Sequence, residues 1–519
     1  MKTLSVAVII LVLFAGTANA GKQVRVIYKD IVNGREVTDG PRTVVESDGS
    51  AVRITVVQRQ PGRLQMPSPL QSSFIDLEGR QFINVADMPD GSRISTVTHF
   101  KDLPSAEIST DFETIAGYKC VRSRVIYFSN TIDIWYTLEA GLAGTPVPAY
   151  GVPEGLVLRI VRNGNNITEA EEVESVRDKG FRVSISGNRG KEVDRMTFEH
   201  LLREALVTSV TVFDNAVINW EGEVANPEFG IRDTIYRFAG GTVILKKVIL
   251  PQVHDRYSLF AEVTEYSAGD AYDRTGTVFV IPQGDPVTFI DGLIRGHKSL
   301  PVHTDKHGKE YSGVAATVSY RPPVELVRFF TPFGVRNFNE KRTVPGLVWE
   351  DSAFYKQEIT RYLPLLRGEV WIGAFIGNYD RGGHRLSLRL KYYPETREME
   401  FPASPEKWIS SVFNTLPIME MAGQQYGTMF DGDTLSVSVE IPEGLKSLQM
   451  VFITTGHGGW GGGDEFNQKM NELLVDGRRV WSFVPWRSDC GTYRNYNPAS
   501  GNFWNGLSSS DYSRSGWCP

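Results

Sequence analysis

The sequence predicts an all-β protein, and three observations carry that prediction. Apolar residues recur in short runs rich in β-branched and aromatic side chains, such as QVRVIYKD (23–30) and LSVSVEIP (435–442), which suit pleated strands. Fifty glycines and 27 prolines punctuate those runs with turn chemistry. The clearest helical period is confined to one stretch, DRMTFEHLLREALV at 194–207.

With 519 residues, 41% hydrophobic and 22% charged, the chain has an ordinary globular composition and room for about three domains. A net charge of −6 leaves no basic footprint for nucleic acid. Beyond the N-terminus no apolar stretch is long enough to span a bilayer. Neither nucleic acid nor membrane is therefore expected as a partner, and a monomer is expected.

Residues 1–20 read as an export leader. Lys2 supplies the positive charge, Leu4 to Gly16 the apolar core, and Ala18-Asn19-Ala20 the small-residue cleavage site. The mature chain is expected to begin at Gly21, in the periplasm or outside the cell. An oxidising destination gives the three cysteines a redox meaning: an odd count implies one pair and one leftover thiol. Cys490 and Cys518 flank a Gly/Ser/Asn-rich loop that a disulfide would stabilise, whereas Cys120, in IAGYKCVRSRV, suits a buried strand.

From 21 to about 190 the chain reads as strands and turns. VRITVVQ (52–58), RSRVIYFS (122–129) and IDIWYTL (132–138) have strand character, and pairs such as Asp90-Gly91 and Asn163-Gly164 mark turns. No catalytic constellation stands out there. The helix at 194–207, with Met196, Leu201 and Ala205 at helical spacing and Glu199 four before Arg203, reads as a connector that closes an N-terminal domain at 207.

The most informative stretch is TTGHGGWGGGDEF, 454–466. Six glycines surround His457 and Trp460 and lead into Asp464-Glu465. Glycine at that density lets backbone approach a ligand closely, and a tryptophan beside two carboxylates suits a sugar. The sequence continues with VDGRRVWSF, Cys490 and a closing SRSGWCP. This ordered set resembles the C-terminal half of the bacterial peptide-N-glycosidase F family. Members of that family cut the amide between an asparagine side chain and the first N-acetylglucosamine of an N-glycan. The family's histidine, its substrate-binding glutamate and its R-x-G-W-C-P motif fall on His457, Glu465 and Arg514 to Pro519.

The resemblance extends back to about residue 208, through VTVFDNAVIN and GGTVILKKVILP, and reaches DAYDRTGTVFVIP at 270–282. The family's principal catalytic aspartate lies in an aromatic-Asp-Arg triplet, here Tyr272-Asp273-Arg274. The resemblance implies that Asp273 activates water, and that Arg274 either polarises the carbonyl or fixes Asp273. Family cysteines flanking this loop are absent, with Ser267 and its neighbours in their place, so other contacts must hold it. An apparent insertion covers roughly 284–323. Its HTDKH (303–307) spaces two histidines as a zinc helix would, but Pro301 and Gly308 favour a turn, and no metal site is assigned.

RGEVWIGAFIGNYDRGGHRLSLRLKYYP (367–394) departs from the family. Leu386, Leu388 and Leu390 mark a strand with one apolar face. A second family glutamate falls on Gly377 and a nearby tryptophan on Tyr379. Asp380, with His384 behind it, is the candidate to supply the lost carboxylate, and a plain hairpin turn is the equal alternative.

The resemblance thus implies a bowl-like N-terminal β domain (21–207) followed by two jelly-roll sandwiches, 208–400 and 401–519. The family pattern runs on past the second, which leaves its completeness open. It also implies a hydrolase that takes N-glycosylated proteins and glycopeptides without a cofactor. Asp273, Arg274 and Glu465 would carry the chemistry, while Tyr272, Asp380, His384, His457, Trp460, Asp464, Arg514 and Trp517 would contact substrate. A carbohydrate-binding protein without activity and an endoglycosidase using Asp273 and Glu465 are the alternatives. N-terminally extended family members are associated with tolerance of 3-linked core fucose, which a glycine at 377 would favour.

Overall fold

The computed structural model describes residues 23–38, 40–57, 69–176, 181–185, 187–221, 226–253, 257–394, 407–424, 429–430, 433–459 and 463–519. The leader and Trp460 lie outside them. The chain divides into two compact units, one ending at Leu206 and one starting at Val207.

The first unit is built on a single thirteen-stranded sheet with Lys191–Glu192 at one edge and Glu107–Ile115 at the other. Its first long strand, Gln23–Val32, alternates buried and open positions from Val24 to Tyr28, as expected of a half-buried strand. One core cluster joins Val26, Val45 and Ile75 to Cys120 and Leu156 from the far half of the sheet, so the sheet curls onto a shared core. Cys120 is a free, fully buried thiol, and burial pushes its pKa up to about 11.

The expected helix forms over Arg195–Ala205, and the Asp194 carboxylate caps it by accepting from Thr197 N at 3.0 Å. Its apolar face differs from the expected one. Phe198, Leu201 and Leu202 pack on Ala86 and Ile94, while Met196 is exposed. The helical ion pair is likewise Arg195–Glu199 at 2.9 Å, rather than Glu199 with Arg203.

The second unit opens with a β-sandwich. One sheet runs Thr208–Ile218, His384–Pro394, Tyr257–Ser267, Ala353–Glu358; the other runs Ile235–Phe238, Val243–Leu250, Gly368–Ile376, Thr275–Ile281, Val324–Phe330. All of these pairings are antiparallel. Leu386, Leu388 and Leu390 are fully buried on one face of their strand, as the alternation required.

The inserted segment covers the outer face of the five-stranded sheet. Phe289, at the start of the short helix Phe289–Arg295, packs with Leu300 and Tyr320 against Phe279, Trp371 and Phe375. HTDKH forms a hairpin between Val302–Thr304 and Glu310–Ser312, and Asp305 Oδ1 accepts from His307 N and Lys309 N, both at 2.9 Å. The two histidines therefore do not share a helix face.

Beyond 407, the one strand ladder among the described residues is the hairpin Asn471–Val475 with Arg478–Phe483, turned at Asp476-Gly477. The runs expected as strands at 435–442 and 448–455 are not assigned as strands. Val439, Ile441, Leu448, Met450 and Ile453 remain exposed there.

Cys490 and Cys518 form the expected disulfide, 28 positions apart. Closing that loop should stabilise by about 3–4 kcal/mol through lost entropy of the unfolded chain. Replacing both cysteines by serine should lower the melting temperature accordingly. Peptide mapping without reduction should show Cys120 alone, and a bridge containing Cys120 would refute the assignment.

Candidate active site

The site begins where the chain crosses between the two sheets of the sandwich. Residues 268–274 link Tyr257–Ser267 in one sheet to Thr275–Ile281 in the other. Hydrogen bonds replace the missing cysteines. Ser267 Oγ donates to Asp270 O at 2.6 Å, Ala268 N to Gly383 O at 2.9 Å, and Tyr272 N to Asp270 Oδ1 at 3.0 Å. Thr331 closes the end of the loop, its Oγ1 accepting from Arg274 N at 2.9 Å.

The C-terminal segment supplies the other half. Gly456 N donates to Ser515 O and Ser515 N to Glu465 O, each at 2.9 Å, so the glycine loop and the closing motif are pinned together. Glycine is required at 463, where a Cβ would sit 2.4 Å from Gly458 C. Arg514, 1% exposed, then joins the halves. Its Nε donates to Glu465 Oε1 at 3.0 Å and its Nη2 reaches Asp273 Oδ2 at 3.3 Å. Nη1 donates to Ser509 O at 2.7 Å, and the rings of Trp517 and Phe466 lie 4.7 and 5.1 Å from the guanidinium carbon.

Electrostatics follow from burial. Desolvation raises the pKa of the Asp273 carboxyl above the usual aspartate range, with Arg514 opposing. Desolvation also raises Glu465, and the nearby Asp273 charge adds to that against the Arg514 hydrogen bond. Two carboxylates whose protons are held tightly thus share one buried cation.

Several expected contacts are corrected. Arg274 does not pair with Asp273. Its Nε and Nη2 grip Asp270 at 2.7 and 3.2 Å, with Tyr272 and Tyr379 rings alongside. His384 is fully buried, with Nδ1 at 2.6 Å from Glu265 Oε1, because its strand position faces the sandwich interior and not a cleft. Trp517 is also buried. It stacks on Phe330 with ring centres 4.1 Å apart and donates to Gly456 O, so it supports the site from below and offers no face to a sugar.

Asp380 serves its own turn, its Oδ1 accepting from Gly382 N and Gly383 N at 2.7 and 2.9 Å. Asp464 likewise accepts from His457 N at 2.7 Å, and the His457 ring lies beside the Phe330–Trp517 pair, its centre 5.4 and 5.7 Å from theirs. Tyr272 is exposed beside Asp273. Sequence reasoning passed over Asp270, although it sits in the same DAYDR motif. Glu265 and Ser509 carried no local signal at all.

A sandwich with paired carboxylates held on a buried arginine at its end defines the class: a β-sandwich protein with a carboxylate-centred site. Family models described as "Peptide-N-glycosidase F, N terminal", "Peptide-N-glycosidase F, C terminal" and "N-glycanase peptide, N-terminal domain" match residues 209–392, 425–519 and 26–200. The solved structure of PNGF-II in a P21 crystal is 37% identical, with a TM-score of 0.81, over 96% of this chain and 91% of that one. A second PNGF-II structure, in a C2 crystal, gives 35% identity and a TM-score of 0.74 over 96% and 90%. No curated protein matches. The chain belongs to the peptide-N-glycosidase F family.

Proposed function

We propose that this chain hydrolyses the amide between an asparagine side chain and the first N-acetylglucosamine of N-glycosylated proteins and glycopeptides. The observation that carries this reading is the Asp273–Arg514–Glu465 cluster, two carboxylates meeting on one buried cation. Asp273 takes a proton from water, whose oxygen bonds to the amide carbon. Arg274 donates to the carbonyl oxygen as charge develops there. The carbon–nitrogen bond then breaks, and the proton passes to nitrogen as the glycosylamine leaves aspartate behind. Glu465 holds the first sugar, and Arg514 positions both carboxylates.

One mass measurement on a glycopeptide tests this. Conversion of asparagine to aspartate supports the amidase. A single sugar left on asparagine would instead indicate an endoglycosidase, and an unchanged peptide a lectin.

The same reading extends to glycans with 3-linked core fucose. Gly377 follows the strand Gly368–Ile376 without a side chain, two residues before the exposed Tyr379. Matched glycopeptides with and without that fucose should be released at similar rates, and refusal of the fucosylated one would end the idea. Gly377→Glu should shift preference towards the unfucosylated peptide. A Cβ there would meet Phe375 Cζ at 3.1 Å, so a melting curve should accompany the assay.

A further inference from the structure

The interior end of the sandwich holds three ionisable groups that the chemistry above does not use, in line with Arg274. Glu265 and His384 are fully buried on neighbouring strands, and Asp270 is 2% exposed. His384 Nδ1 lies 2.6 Å from Glu265 Oε1. Its Nε2 lies 3.5 Å from Asp270 Oδ2, an ion-pair separation without hydrogen-bond geometry. Asp270 in turn takes Arg274 Nε and Nη2. A side-on grip through Nε and Nη2 leaves Nη1 pointing away from Asp270, and the Arg274 side chain keeps 20% of its surface exposed.

Chemistry sets the charge of this line. A neutral imidazole has one N–H and would turn a lone pair towards one of its two carboxylates, whereas an imidazolium presents N–H to both. With His384 protonated, the sequence Glu265, His384, Asp270, Arg274 alternates in sign and sums to zero. Burial alone would lower the His384 pKa, but Asp270 and Glu265 outweigh it and push it up to about 9. Burial would raise Asp270, yet His384 and Arg274 hold it down at about 2. Asp273, the Tyr272 and Tyr379 rings beside Arg274, and the Tyr355 hydroxyl, which donates to Phe330 O at 2.6 Å, are other ionisable groups that face this line among the described residues.

We propose that His384 is a positioning residue, which through Asp270 holds Arg274 with Nη1 turned to the substrate's amide oxygen. The inference rests on the amidase reading but is tested separately from it. His384→Gln should lower kcat for glycopeptide release by about a hundredfold, as expected when a donor is misplaced by about 1 Å, with KM little changed. In an Arg274→Met background the same substitution should cost nothing further. An equal loss in both backgrounds would show a merely structural role and overturn the proposal.

Should His384→Gln fail to fold, the isosteric Asp270→Asn is put through the same cycle. Independently of any activity, NMR of the wild-type chain with labelled histidine should show both ring N–H groups of His384 at neutral pH. A single ring N–H would refute the imidazolium and with it the proposal.

Discussion

Asp273→Asn should yield a folded protein that still binds glycan but turns over about 10²–10⁴-fold more slowly, the usual contribution of a general base. The substitution keeps shape and removes the ability to take a proton, together with the charge that faces Arg514. Asp273 keeps 17% of its side-chain surface exposed, enough to meet water, while most of it lies in protein. Because burial raises its pKa, the wild-type rate should climb with pH through a value above the ordinary aspartate range, and that acid limb should vanish in the variant. Near-normal turnover by a folded Asp273→Asn protein would remove Asp273 from the mechanism.

Arg514→Met should be the most destabilising change in the site. Removing one partner of a buried ion pair typically costs about 3–5 kcal/mol, because the remaining charge is left uncompensated. Here two carboxylates lose the same cation, and Asp273 and Glu465 expose only 17% and 18% of their side chains. The sign of the pH dependence follows. Both folded-state pKa values already lie above the ordinary range, and the Arg514 charge lowers them. Without it they rise further, so the penalty is absent at acidic pH, where both groups are protonated folded or unfolded. It grows as pH rises through the folded-state values. Melting curves of wild type and variant should therefore converge on acidification and separate towards neutrality. A variant that melts with the wild type at neutral pH would show that Arg514 does not bridge the two carboxylates.

Local chemistry made much of the molecule legible. The helical period within 194–207 placed the helix, because that period is written within a few turns of chain. The Leu386, Leu388, Leu390 alternation named a buried face for the same reason. Cys490 and Cys518 paired as their loop implied. Asp273, Glu465 and Arg514 were each picked out by motif, and the fold brings them together across 241 positions of sequence.

Their environment was another matter. A strand's period says which side chains share a face, but not whether that face looks at solvent, a cleft or another sheet. His384 and Trp517 were therefore expected at the substrate and lie in the interior. Glu265 and His384 meet across 119 positions, a contact that strand pairing alone creates. By itself, the sequence determined the β architecture, the helix, the disulfide and the identity of the carboxylates, because each rests on neighbours in the chain or on a motif. Only the tertiary structure decided which of Arg274 and Arg514 bridges Asp273 and Glu465, and which histidine is buried between two acids. Those are set by burial and distance between strands far apart in sequence.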